Sequence, residues 1–326
     1  MKQSKTFYFA VLGCIFTFGV ILLGSYTRLT DAGLGCPDWP GCYGHLAVPS
    51  TPSAIAHATT EYPHMPLAAE KAWTEMVHRY FAGTLGLIVF GVSIASLRAH
   101  RQKVPVWLPC TLMLLIVFQA ALGMWTVTLK LLPVVVMGHL LGGFCTFGLL
   151  GLIAFKLQAS RASQRGENRP LQVAGLLTLL LLVGQIFLGG WTSSNYAALV
   201  CPDFPTCLGQ WWPTFDSKAF DLTTGVGYDV PSLAMDNHLR VVIQATHRLG
   251  ALLLSGVTLV FLGLLWRAHY RCISVVLATL LSLQITLGIS NVLYLLPLPV
   301  AVMHTGVGAL LFLAFLYANH LIWKKS

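Results

Sequence analysis

Four histidines, His78, His139, His247 and His304, stand inside or at the ends of long apolar runs. Histidine within a membrane span is costly, and its default reading is functional. The four also repeat. His78 and His139 follow a short loop, Cys36-Pro37-Asp38-Trp39-Pro40-Gly41-Cys42. His247 and His304 follow a second loop 165 residues later, Cys201-Pro202-Asp203-Phe204-Pro205-Thr206-Cys207. In each copy the two histidines belong to different apolar runs and sit at similar depth. Two imidazoles so placed can ligate a haem held edge-on between helices. The competing reading is four hydrogen-bonded interhelical histidines, which leaves their repetition unexplained. A simple metal-ion site fits less well, because no carboxylate or third histidine repeats beside them.

The copies differ at one informative place. The first reads Glu75-Met76-Val77-His78 and the second Gln244-Ala245-Thr246-His247. Residues three apart share a helix face, so a haem beside His78 is also beside Glu75. A carboxylate there could accept a proton or stabilise developing positive charge. Gln244 can do neither in the same way. The difference suggests one working site and one electron-transfer site, against the plainer reading of an interfacial glutamate at a helix start. Arg79 and Arg248 follow the first histidine of each pair. Two readings stand side by side for them: pairing with haem propionates, or snorkelling to the interface.

The elements that must position these residues are membrane helices. Apolar residues make up 56% of the 326-residue chain and charged residues 10%, against about 25% charged in ordinary soluble domains. Mean hydropathy is +0.73. Eight spans are expected, at roughly 7–27, 75–97, 105–127, 133–155, 171–192, 243–265, 272–294 and 299–321. The first is read as an uncleaved helix, too long for the apolar core of a signal peptide. This count places 13 of the 20 basic residues on one side: Lys2, Lys5, Arg98, Arg101, Lys103, Lys156, Arg161, Arg165, Arg169, Arg267, Arg271, Lys324 and Lys325. Glu167 is the one acidic residue among them. By the positive-inside rule that side, with both termini, is cytoplasmic. The net charge of +9 therefore describes topology and not nucleic-acid binding. No organellar presequence is evident, so a bacterial inner membrane is expected.

The fold class expected is an all-α membrane protein of eight transmembrane helices, built as two tandem four-helix bundles. Residues 1–160 form the first half, 161–170 a cytoplasmic linker and 171–326 the second half. An even number of spans per copy relates the halves by a pseudo-twofold axis along the membrane normal. The repeat reaches beyond the cysteines. Gly24-Ser25-Tyr26-Thr27 matches Gly189-Gly190-Trp191-Thr192, and Gln119-Ala120-Ala121-Leu122-Gly123 matches Gln284-Ile285-Thr286-Leu287-Gly288. The long outer segments carry the cysteines into an oxidising compartment. Disulfides Cys36–Cys42 and Cys201–Cys207 are expected, each worth about 2–3 kcal/mol. A four-thiolate zinc site and a redox-active first pair are the alternatives. Cys14, Cys110, Cys145 and Cys272 are read as small core residues.

The ensemble of eight spans, a cysteine pair in each outer loop, Glu75-x-x-His78, His139, His247 and His304 resembles the haem A synthase family over essentially the whole chain. The resemblance implies oxidation of the C8 methyl of haem O to a formyl group by successive hydroxylations. It implies that the N-terminal half holds the substrate haem, with Glu75 as the essential carboxylate; His78 and His139 are read as holding its iron or exchanging one position during turnover. It implies a haem b in the C-terminal half on His247 and His304. The Cys36 to Cys42 spacing is one residue tighter than in some members. Membrane lipid, a haem O synthase, the oxidase assembly machinery and an electron partner are the implied partners, and a homo-oligomer is compatible. The rival is a dihaem b-type cytochrome that relays electrons without modifying haem.

Overall fold

A computed structural model describes residues 4–99, 103–158, 168–222 and 235–323. Among them are nine α-helices: α1 Lys5–Leu29, α2 Pro52–Glu61, α3 Ala69–Ala99, α4 Trp107–Thr128, α5 Pro133–Leu157, α6 Arg169–Ser194, α7 Asn237–Arg267, α8 Arg271–Leu293 and α9 Leu298–Trp323. All except α2 are long and apolar enough to cross a membrane. The eight expected spans are therefore all present.

Their ends differ most at α3 and α7, each of which starts six residues before its apolar run. These extra turns have their own packing. Ala72 of α3 is buried with Cys36, Cys42 and Tyr43, and Val241 of α7 is buried with Cys201 and Cys207. A hydropathy window cuts off such turns because their other faces are polar. Asp236 caps α7 by accepting the N–H of His238 at 3.2 Å, which satisfies a helix-end donor.

In the first half α1 packs on α3 and α5, and α4 closes the ring between them. The same neighbours recur in the second half, with α6 on α7 and α9 and α8 between those two. The halves meet along α1–α9, α5–α6 and α5–α9. Neither α3 with α5 nor α7 with α9 forms a principal seam among the described residues. The histidine-bearing helices thus face each other diagonally across their rings.

Left-handed backbone also recurs. Lys130 and Leu131 turn α4 into α5 at φ 48° and 58°, and Leu295 and Leu296 turn α8 into α9 at 57° and 63°. Non-glycine residues seldom adopt this region, so its recurrence marks a repeated turn. At the junction, Arg28 donates to the Ser193 carbonyl at 2.7 Å and to the Tyr196 hydroxyl at 3.0 Å. Tyr196 in turn donates to Asp31 at 3.4 Å. Arg28 meets Ser193, and Asp31 meets Tyr196, across a separation of 165 residues. Each is in contact with its own counterpart in the repeat.

One expectation is corrected here. Cys110, Cys145 and Cys272 are exposed on their helices, and only Cys14 is partly buried. Periodicity could not separate an outward-facing position from an inward one in helices apolar all round. Residues 161–167 of the expected linker lie outside the described residues, as do Lys2, Arg101, Lys324 and Lys325. The other basic residues expected on one side, Lys5, Arg98, Lys103, Lys156, Arg169, Arg267 and Arg271, fall at helix ends or in the α3–α4 connection.

Candidate functional site

His78 of α3 and His139 of α5 face each other with ring centres 6.5 Å apart and planes at 86°. Two imidazoles that share one iron, each about 2 Å from it, have ring centres about 6 Å apart. The spacing therefore suits a common iron.

Each histidine lies against a glycine on the preceding helix of its ring. A Cβ added at Gly24 would stand 3.0 Å from His78 Cε1, and at Gly123 3.5 Å from His139 Cε1. The distances are 3.3 Å for Gly189 and His247, and 3.1 Å for Gly288 and His304. At Gly24, Gly189 and Gly288 the missing side chain is what lets the ring come so close to a helix backbone, while at Gly123 a Cβ would make ordinary contact.

Four residues before three of these glycines stands a glutamine on the same helix face. With its amide nitrogen turned to the ring, Gln119 donates to His139 Nδ1 at 2.8 Å and to the His139 carbonyl at 3.1 Å. Gln185 reaches His247 Nδ1 at 3.0 Å and the His247 carbonyl at 2.9 Å. Gln284 lies 3.3 Å from His304 Nε2. The fourth place, one turn before Gly24, is Val20. His78 Nδ1 is buried without a hydrogen-bond partner among the described residues. The underlying string is Gln-x-x-Leu-Gly at 119–123, 185–189 and 284–288, against Val20-Ile21-Leu22-Leu23-Gly24. The sequence reading paired 119–123 with 284–288 but passed over Gln185 and Val20. Aligning α1 and α6 with the other two would have exposed them.

Glu75 is 4% exposed. Its carboxylate lies one turn before His78 on α3, but it turns toward the cysteine loop. One oxygen accepts the N–H of Cys36 at 2.8 Å, and the other pairs with Arg79 at 2.6 Å. Gln244, its counterpart, has its amide oxygen buried without a partner among the described residues.

Both disulfides, Cys36–Cys42 and Cys201–Cys207, are formed. With the sulfurs bonded in pairs, a four-thiolate zinc site does not arise. Each loop is built the same way. Asp38 accepts the N–H groups of Tyr43 and Gly44 at 2.6 and 2.9 Å, and Asp203 accepts those of Leu208 and Gly209 at 2.7 and 3.0 Å. The Thr206 hydroxyl, with the Gly209 and Leu208 amides, holds the Asp203 carboxyl well below the usual carboxylate range.

The arginines have a use that the sequence did not suggest. Arg79 donates to the carbonyls of Asp38, at 2.9 Å, and Gly41. Arg248 donates to those of Asp203, Thr206 and Cys201 at 2.8, 2.6 and 2.7 Å. Each guanidinium clamps a loop over its half from the helix carrying the first histidine. It is engaged with the loop and is not a free snorkelling group.

Fold and site together define a class: an eight-span helical membrane protein with two cradled histidine pairs beneath disulfide-closed loops. A family model, COX15-CtaA, described as cytochrome oxidase assembly protein, matches residues 7–316. The chain belongs to this family. It is 45% identical over 96% of its length, and 95% of the relative's, to a protein of Shewanella oneidensis named haem A synthase. Proteins of the same name from Paracoccus denitrificans and Rhizorhabdus wittichii are 29% and 26% identical, over 92% and 95% of the chain and 83% and 92% of their own lengths.

Proposed function

We propose that this protein is a haem A synthase, an oxidoreductase that converts the C8 methyl of haem O to a formyl group by successive hydroxylations during cytochrome oxidase assembly. One observation carries the reading. Of two matched histidine pairs, only the first has a carboxylate one turn away, in a chain 45% identical to a haem A synthase. The relay-only dihaem cytochrome finds no support among the relatives.

Residues 1–160 form the catalytic half and 171–326 the electron-transfer half, joined at 161–170 and related by a pseudo-twofold axis. His78 and His139 hold the substrate haem O. Glu75, one turn from His78 and paired with Arg79, is the carboxylate that handles a proton or stabilises positive charge developing at the methyl. The loop closed by Cys36–Cys42, clamped by Arg79, limits water at that edge. The donor set of the second half, His247 and His304 seated on glycines with amides at their rings, fits a haem b. When bound, that haem supplies one-electron transfer. The cysteine loops face the periplasm of a bacterial inner membrane, with the termini cytoplasmic. A haem O synthase supplies substrate, and oxidase assembly takes up product.

Separate replacement of the two pairs tests the assignment. His247→Ala should yield purified protein lacking haem b but retaining haem O or A, and His139→Ala the reverse. Loss of the same haem from both variants contradicts it.

A further inference from the structure

Three of the four cradles place a glutamine amide at the ring, at Nδ1 of His139 and His247 and at Nε2 of His304, and the fourth has Val20 in that position. An amide beside an imidazole can serve either tautomer. Its nitrogen donates to a bare Nδ1, and its oxygen accepts from Nδ1–H when the other nitrogen takes a metal. Such outer partners fix ring orientation and raise ligand basicity, and their loss costs about 10–100-fold in metal affinity. Valine can do neither. No other polar group compensates at His78: its Nδ1 is buried without a partner among the described residues, and Glu75 is engaged with Cys36 and Arg79. Packing on Gly24 is what holds the ring. Its partner His139 is held at two points by Gln119. In the second half both rings meet an amide. His304 meets Gln284 through Nε2, leaving its own Nδ1 unpartnered, but an amide is at the ring.

We infer that Val20 makes His78 the exchangeable ligand of the N-terminal site, so that this iron alone opens a coordination position. The inference rests on the assignment of haems to the two histidine pairs. It makes Val20 and Gln185 positioning residues of opposite effect. Val20 favours release of a ligand and exchange of substrate for product, while Gln185 keeps His247 in place for electron transfer. Nothing in the composition of α1 requires an apolar residue here, since α6 carries Gln185 at the matching position in an equally apolar helix.

Carbon monoxide, which needs an open position on ferrous iron, reads this directly. Purified wild-type protein reduced with dithionite should bind it at the N-terminal haem and not at haem b, which the difference spectra distinguish. Val20→Gln, at unchanged haem content, should weaken that binding by about 10–100-fold, while Val20→Leu should not. Gln185→Val should give haem b a new capacity for carbon monoxide. Wild-type binding in Val20→Gln, or carbon monoxide on haem b in the wild type, would overturn the inference. If Val20→Gln does not accumulate, Gln185→Val decides alone: gain of binding supports the inference and no gain overturns it. A wild-type protein purified without haem O or haem A would instead count against the haem assignment.

Discussion

Glu75 accepts the backbone N–H of Cys36 at 2.8 Å through one carboxylate oxygen while Arg79 holds the other at 2.6 Å. Carboxylate, arginine and disulfide loop are thereby one unit. The second half lacks its acidic member, and Arg248 instead takes the Cys201 carbonyl. The two loops look alike but should respond differently to mutation.

Breaking the first disulfide should cost more function than breaking the second. Each bridge is worth about 2–3 kcal/mol of stability, but only Cys36 also holds Glu75. The double variant Cys36→Ser/Cys42→Ser should lose most haem A in membranes, whereas Cys201→Ser/Cys207→Ser should lose less at equal protein level. Equal losses would show that the coupling to Glu75 does not matter.

Glu75→Gln preserves an acceptor for the Cys36 N–H and removes the charge. The fold and haem b should persist, seen in the absorption spectrum, while haem A disappears from extracts. Normal haem A in this variant would remove Glu75 from the chemistry.

Arg79→Gln should destabilise the protein more than Arg248→Gln. Removing Arg79 strands a buried carboxylate, at about 3–5 kcal/mol. Removing Arg248 strands carbonyls that lose charged hydrogen bonds, at about 1.5–3 kcal/mol. Thermal unfolding in detergent should rank them in that order, and the opposite order would mean that the Glu75–Arg79 pair is not stabilising.

Asp203 sets a pH prediction. Its folded-state pKa is depressed, so its stabilising effect is complete above the unfolded value of about 3.9. It is lost only as pH falls through the lower folded value. The carboxyl signal of Asp203 in NMR should still be ionised where an ordinary aspartate is half protonated. Titration at the ordinary value would show that the Thr206 and amide contacts do not form in solution.

Much of this was legible in the sequence because its causes are local or repeated. Eight apolar runs gave eight helices, since no other open structure satisfies a backbone in lipid. Cysteines six apart in a proline-bracketed loop gave two disulfides. His78 and His139 were recognisable as a pair because they recur as His247 and His304. The loop clamps were not legible. Arg79 and Arg248 bond backbone carbonyls some 40 residues away, and carbonyls carry no sequence signature. Arg28 was invisible for a related reason: it contacts its counterpart position Ser193 through the backbone, and the repeat shows no arginine there. Gln185 was legible but unread, lying in a helix whose neighbours are apolar on every side.

The haem content of purified wild-type protein tests the central claim most directly. Haem extracted from protein made in cells that assemble haem A oxidases should be haem b together with haem O or haem A in similar amount. Haem b alone would contradict the claim that the first histidine pair holds a substrate for oxidation.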